Sequence, residues 1–235
     1  MMRTDRATDA LRPVKITRGF TEMTPGSVLI EMGRTRVLCT VSFEHDVPRW
    51  LRDKGVGWVT AEYSMLPGSS PSRVSRSSIS GGRTKEIQRL IGRSLRGVVD
   101  FKAMGELTAR IDCDVLQADG GTRTASITGA WIALADGFDS LVAAGKLGTN
   151  PLTSQLAAVS VGVVDGEVLL DLEYTEDVSA EVDCNVVMVD DGALVEIQGT
   201  AETRPFTRDQ LDVMIDYATK GIDELMAAQR SSREP

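Results

Sequence analysis

Two kinds of period alternate along the chain. Residues 28–32 and 36–41 flank Gly33-Arg34-Thr35, residues 158–164 and 168–172 flank Asp165-Gly166, and residues 186–189 and 193–197 flank Asp190-Asp191-Gly192. Short apolar runs joined by such turn residues are strand pairs, and Asp-Gly is the strongest hairpin signal of the three. Between them, residues 107–117 set Ala109, Ile111, Cys113 and Val115 against Arg110, Asp112 and Asp114, a half-buried strand. Strands paired by hairpins imply a mixed or largely antiparallel sheet.

The longer period belongs to three helices. Over 84–99 the apolar set Ile87, Leu90, Ile91, Leu95 and Val98 lies on one face, while Arg89, Arg93 and Arg96 fall within about 60° of one another on the other. A second helix, about 123–144, carries Ile127, Trp131, Leu134, Phe138 and Leu141 and follows Asp119-Gly120-Gly121-Thr122. The third begins at Thr207, where Gln210 completes a capping box, and runs through Leu211, Ile215, Ala218, Ile222 and Leu225. A hairpin followed by a helix thus occurs early and again late. The expectation is an α+β fold of two similar βα halves sharing one sheet, as a single domain over 1–235. No Pro/Gly/Ser linker divides the halves. The one such stretch, about 68–82, sits inside the first half and reads as a flexible loop, and 230–235 reads as a frayed tail.

Composition narrows the chemistry. The chain has 235 residues, 42% hydrophobic and 26% charged, enough to bury a sizeable core. No apolar run reaches the roughly 18 residues of a membrane span, and the start of the chain lacks a signal peptide's apolar stretch, so a cytoplasmic protein without a membrane partner is expected. Cys39, Cys113 and Cys184 form no CxxC pair and read as small buried hydrophobes. With His45 the single histidine, the chemistry falls to Asp, Glu, Arg, Lys, Ser, Thr or a bound metal. The net charge of −8 hides an asymmetry: 20 Lys and Arg against 14 Asp and Glu in residues 1–125, but 6 against 20 in residues 126–235. A polyanion on one side and a divalent cation on the other would suit that division.

Three segments match it. Residues 117–124 leave a strand through two glycines and open a helix, so unpaired N–H groups, the positive end of the helix dipole, Thr122 and Arg123 can converge on an anion. A tight strand-to-helix turn capped by Thr122 is the structural alternative. Gly81-Gly82-Arg83-Thr84 is a second glycine pair before a helix and an arginine. Residues 171–183 hold six carboxylates in 13 positions, a candidate for a hard cation such as Mg²⁺, though an acidic loop is more often simply solvated. Arg89, Arg93 and Arg96, with Arg73 and Arg76 of the 68–82 loop, are candidate contacts for a polyanion.

These segments carry a family resemblance. Residues 116–130 read LQADGGTRTASITGA where bacterial ribonuclease PH has IQADGGTRTASITGA. GSVLIEMGRTRVLCTV, WVTAEYSMLP, GRTKEIQRLIGRSLRGVVD, EDVSAEVDCNVVM and VEIQGTAE each resemble segments of the same family, in order, over about residues 11–229. The resemblance implies the ribonuclease PH fold, similar to ribosomal protein S5 domain 2. It also implies a phosphorolytic 3′→5′ exoribonuclease, a tRNA nucleotidyltransferase, that trims tRNA precursors and other 3′-extended RNA with inorganic phosphate and releases nucleoside diphosphates. By the same resemblance Arg83, Gly121, Thr122 and Arg123 hold phosphate. Asp177 and Asp183 are the catalytic residues and the ligands of Mg²⁺ or Mn²⁺, with Asp183 as ligand or as general acid. The resemblance also implies a homo-hexamer, a trimer of dimers, and makes Arg73, Arg76, Arg89, Arg93 and Arg96 the candidate RNA contacts. The chain departs from the family in lacking the glycine between Asp5 and Arg6, in Val178 where the family has Ser, in Cys184 where it has Met, and in Gly68 where the loop has an arginine. Two other readings use the same residues: a catalytically silent RNA-binding ring subunit, and a hydrolytic exonuclease releasing monophosphates.

Overall fold

The computed structural model describes residues 3–234, those at 79 and 80 by their backbone alone. The first sheet contains β1 (Val14–Arg18), β2 (Gly26–Met32), β3 (Thr35–Glu44), β4 (Trp58–Met65) and β5 (Thr108–Gln117), in the order β1-β2-β3-β5-β4. Its pairings are antiparallel except β4 with β5, which is parallel and is crossed over by α1 (Gly82–Arg96) and the short α2 (Phe101–Met104). The central α3 (Thr122–Ala143) leads to a second, wholly antiparallel sheet of β6 (Leu156–Val164), β7 (Glu167–Leu170), β8 (Val182–Val189) and β9 (Leu194–Ala201), in the order β7-β6-β8-β9. One short helix, α4 (Tyr174–Ser179), joins β7 to β8, and α5 (Arg208–Arg233) closes the chain.

The two hairpin-then-helix groups therefore build two sheets, not the one shared sheet expected. The reason is α3, whose buried residues surround its whole circumference, so that it packs on β2 and β3 on one side and on β6 on the other. Gly129 makes the first contact close: a Cβ there would stand 2.8 Å from an Ile30 methyl carbon and 2.9 Å from the Cys39 sulfur. On the other side, the buried Thr128 hydroxyl donates to the Ala158 carbonyl and accepts its N–H, and Gln229 of α5 donates to the carbonyls of Thr128 and Leu156. These polar groups are all satisfied, so they fix the seating of β6 and α5 on α3 without a desolvation penalty. One apolar cluster runs through both sheets, and all three cysteines lie buried in it, two of them beside α3.

Two helix ends stand apart from expectation. The helix expected over 84–99 stops at Arg96, because Val99 leaves it to bridge Leu152 and Asp100 caps α2. The expected frayed tail at 230–235 is instead the end of α5, with Pro235 outside the described residues. Arg233 pairs ionically with Asp136 (3.2 Å) and donates to Asp139 (2.6 Å), and Arg230 donates to Gln155 (2.7 Å), which ties that last turn to its surroundings. Among the described residues no helix is long and apolar enough to cross a membrane.

Candidate active site

The turn from β5 into α3 presents backbone toward a cavity. Gly120 and Gly121 both adopt positive φ (77° and 66°), and a Cβ on Gly120 would fall 2.3 Å from the Leu172 carbonyl oxygen, so this crossing admits glycine alone. Gly121 is the N-cap of α3 and offers no side chain to the helix's first N–H groups, which keep their capacity for an anion. The expected alternative, a cap by Thr122, is not formed. That hydroxyl pairs with the Tyr63 hydroxyl of β4 at 2.9 Å.

A buried ion pair holds the turn from behind. Arg12 donates to the Asp119 carbonyl (2.5 Å), while its Nε and Nη2 reach the Asp171 carboxylate at 2.9 and 2.6 Å and its backbone N–H reaches it at 2.8 Å. Burial alone would raise the pKa of Asp171, but the hydrogen bonds and charge of Arg12, helped by Arg6, hold it below the usual carboxylate range. Thr35 completes the clamp, donating to the Gly120 carbonyl and accepting the Asp119 N–H.

The acidic stretch is thus not the solvated loop that its composition favoured. Asp171 is fully buried, and Glu176 is gripped by Arg3 through two bonds of 2.6 and 2.7 Å and by Arg6 at 3.1 Å. A six-residue helix is too short to stand alone. This grip, with the capping box between Glu173 and Glu176, fixes α4 in place. Its next residue, Asp177, faces the other way, toward Asp183 and Asn185, which share one face of β8 at strand spacing.

The two halves meet in a cavity of about 280 Å³. From the first half it is lined by Arg83 of α1, the Gly120-Gly121 turn, Thr122 and Arg123, and from the second by Asp177, Asp183 and Asn185. All six residues assigned to phosphate, catalysis and metal therefore line one space. Burial pushes the pKa of Asp177 up, and it pushes Asp183 up to about 6 with Asp177's charge adding to it; Arg83 and Arg123 pull both down without offsetting the burial. Among the described residues no group of three or more His, Cys, Asp and Glu converges. Two half-buried carboxylates in a cavity shared with two arginines nevertheless fit Mg²⁺ or Mn²⁺, which take one or two carboxylates and complete their shell with water and substrate phosphates.

Arg123 has partners that sequence reasoning did not find. Its Nη1 donates to Gln198 of β9 at 2.9 Å and to Glu86 of α1 at 3.4 Å, and Gln198 also donates to Glu86 at 3.1 Å. Nothing in the local pattern links these three positions, whereas Asn185 was findable from its strand spacing to Asp183. The RNA-contact candidates stay outside the cavity. Arg93 forms a two-point pair with Glu196 (2.8 and 2.7 Å), and Arg96 lies 4.7 Å over the Trp58 ring and donates to the Val59 carbonyl. Arg89 remains exposed on α1, Arg73 is exposed in the loop, and Arg76 is exposed at the start of a 3-10 turn, Arg76–Ser80.

Comparison with known proteins agrees with this architecture. Residues 10–137 match the 3′ exoribonuclease family, domain 1, and residues 154–221 match domain 2 of the same family. The chain belongs to the 3′ exoribonuclease family. Among solved structures it is similar to rice (Oryza sativa) Rrp46, with a TM-score of 0.77, 19% identity, and 98% of this chain and 99% of that one covered. It is also similar to a chain of the Archaeoglobus fulgidus exosome with RNA bound to the active site, with a TM-score of 0.82, 19% identity and coverages of 94% and 90%. An archaeal exosome core chain matches with a TM-score of 0.78, 19% identity and coverages of 96% and 89%. These likenesses are likenesses of fold.

Proposed function

We propose that this protein is a phosphorolytic 3′→5′ exoribonuclease that trims the 3′ ends of tRNA precursors and releases nucleoside diphosphates. The observation that carries the reading is the single cavity in which two arginines and a helix N-terminus face two carboxylates. An anion held on the first set and a phosphodiester brought to the second are the two reactants of phosphorolysis.

Phosphate is a weak nucleophile of the same charge sign as its target, so positioning and neutralisation are the main requirements. Arg83 and Arg123 hold the phosphate by charge-assisted hydrogen bonds, and Thr122 and the leading N–H groups of α3 orient it. Its oxygen attacks the terminal phosphorus, the bond from that phosphorus to the 3′ oxygen of the preceding nucleotide breaks, and that oxygen takes a proton. Asp183, with its pKa at about 6, either donates that proton or serves with Asp177 as metal ligand. Mg²⁺ or Mn²⁺ held by Asp177 and Asp183 would supply charge neutralisation at the scissile phosphate. Phosphate ionises near neutral pH, so a reaction of this kind needs no histidine base.

A homo-hexameric ring with the Arg73 and Arg76 loops turned toward the tRNA body belongs to the same reading. The similar archaeal chains come from exosome assemblies, one of them with RNA in its active site, which supports a ring that binds RNA. The test is to incubate the protein with 3′-extended RNA, with and without phosphate, and identify the nucleotide released. Diphosphates appearing only with phosphate are expected. Monophosphates in phosphate-free buffer would make the protein a hydrolase, and RNA binding without turnover a silent subunit.

A further inference from the structure

The cavity has an apolar rim that phosphate chemistry does not use. Tyr174 is 51% exposed and Val178 68% exposed, and both line the cavity beside Met65 of β4. They sit four residues apart on α4 and so share one face of it, with Asp177 between them at helical spacing. The opposite side of the same helix carries Glu176, locked by Arg3 and Arg6. Tyr174 and Val178 leave half or more of their surface in solvent on a helix held this rigidly, and neither belongs to the apolar core.

We propose that Tyr174, backed by Val178, forms a stacking platform for the nucleobase of the RNA's 3′-terminal nucleotide. The proposal rests on the reading of this cavity as a site for RNA 3′ ends. A nucleotide presents a charged phosphate and a flat apolar base, and the cavity presents charge inside and an apolar rim outside. The phosphate that must lie near Asp177 therefore carries its base to the adjoining Tyr174. Every base has a π-face, so a platform of one ring and one aliphatic side chain holds a terminal residue without choosing its identity. This suits an enzyme that must accept each new end that it creates. The rigid grip on Glu176 adds preorganisation, because the platform does not have to be ordered on binding.

The experiment reads binding in phosphate-free buffer, apart from turnover. An oligoribonucleotide with 2-aminopurine at its 3′ end is titrated with the wild-type protein and with Tyr174→Ala and Tyr174→Phe, and each protein is also titrated with an oligomer whose 3′ residue is abasic. Stacking should quench the 2-aminopurine on the wild type and on Tyr174→Phe but not on Tyr174→Ala. Tyr174→Ala should weaken binding of the normal oligomer about 10-fold while leaving the abasic one unchanged. Quenching that persists in Tyr174→Ala, or an equal loss on both oligomers, would overturn the proposal. Absence of diphosphate release in the phosphate assay would instead overturn phosphorolysis and leave the stacking result standing.

Discussion

Replacing Asp171 by Asn tests whether the Arg12–Asp171 pair holds the glycine turn from β5 into α3. Asn tolerates the positive φ of 54° at this position and keeps the size of the side chain, so the substitution removes charge and little else. The structure sets the magnitude. The side chain of Arg12 is 6% exposed and that of Asp171 0%, and Asp171 accepts three bonds of 2.6 to 2.9 Å from Arg12. After the change a buried guanidinium faces an amide that opposes N–H to N–H, and stripping one partner from such a pair costs about 3–5 kcal/mol. Urea unfolding at pH 7, followed by tryptophan fluorescence, should show that loss. The variant Arg12→Met with Asp171→Asn should lose less than the sum of the two single changes, since no buried charge is then left alone. The pH dependence has a definite sign. A carboxyl whose pKa is lowered by folding contributes stability that is fully present above its unfolded value, about 3.9, and that disappears as pH falls below it toward the folded value. The wild type should therefore lose stability below about pH 4 more steeply than Asp171→Asn. A loss under about 1 kcal/mol at pH 7, or acid curves that run parallel, would refute the reasoning.

Four further outcomes are expected. Arg123→Ala should weaken phosphate-dependent turnover by about 2–4 kcal/mol in the transition state, read as kcat/KM for phosphate; an unchanged value would remove Arg123 from the site. Asp183→Asn should abolish most turnover yet stabilise the metal-free protein above pH 6, by about 1–3 kcal/mol. An Asp with a raised pKa is stable where it stays protonated and loses stability as pH rises through about 6, so unfolding measured with chelator at pH 4 and pH 8 checks the sign. Gly120→Ala should cost about 2–4 kcal/mol through its positive φ and the clash with the Leu172 carbonyl, with a raised KM for phosphate in whatever folds. Gly68→Arg has open space around it and should tighten tRNA binding and steepen its salt slope by about 0.9 for each further phosphate neutralised, leaving short oligomers alone; equal tightening on both would show that the loop does not face the tRNA body.

The elements legible in the sequence are those with burial on one face, or, like β6, β8 and β9, with turn residues such as Asp165-Gly166 and Asp190-Asp191-Gly192 marking their ends. β2, β3, β5 and α1 pack one apolar side inward and leave the other polar, so alternation or helical spacing betrays them. β1 and β4 are harder to read: β1 is shallow, with every residue half-buried or exposed, and the inward face of β4 sets the small Ala61 between Val59 and Tyr63, a weak apolar signal. α3 reads as amphipathic at a few positions but is buried all round, and that difference is why one shared sheet was expected where two exist. The charged residues that line the cavity were legible because glycine pairs, arginines and paired aspartates have few structural reasons to occur together. The partners that hold them in place were not. Arg12 and Asp171 lie 159 positions apart and Arg123 and Gln198 75 apart, and no local pattern records a contact across the seam between the sheets.

That seam explains the uneven charge. Arginines and aspartates brought together on one rigid element would neutralise one another before any substrate arrived. With Arg83 and Arg123 on helices of the basic half and Asp177 and Asp183 on α4 and β8 of the acidic half, the two sets reach the cavity from different elements. The separation between them is then set by how the halves dock. Docking in turn uses the same asymmetry, because Arg3, Arg6 and Arg12 of the first half bind Asp171 and Glu176 of the second. Glu176 is the neighbour of Asp177, and Arg12 holds the turn before Arg123, so these buried pairs transmit any slack at the seam directly to both sides of the cavity. Weakening them should raise the KM for phosphate under conditions where the apolar cluster common to both sheets still keeps the protein folded.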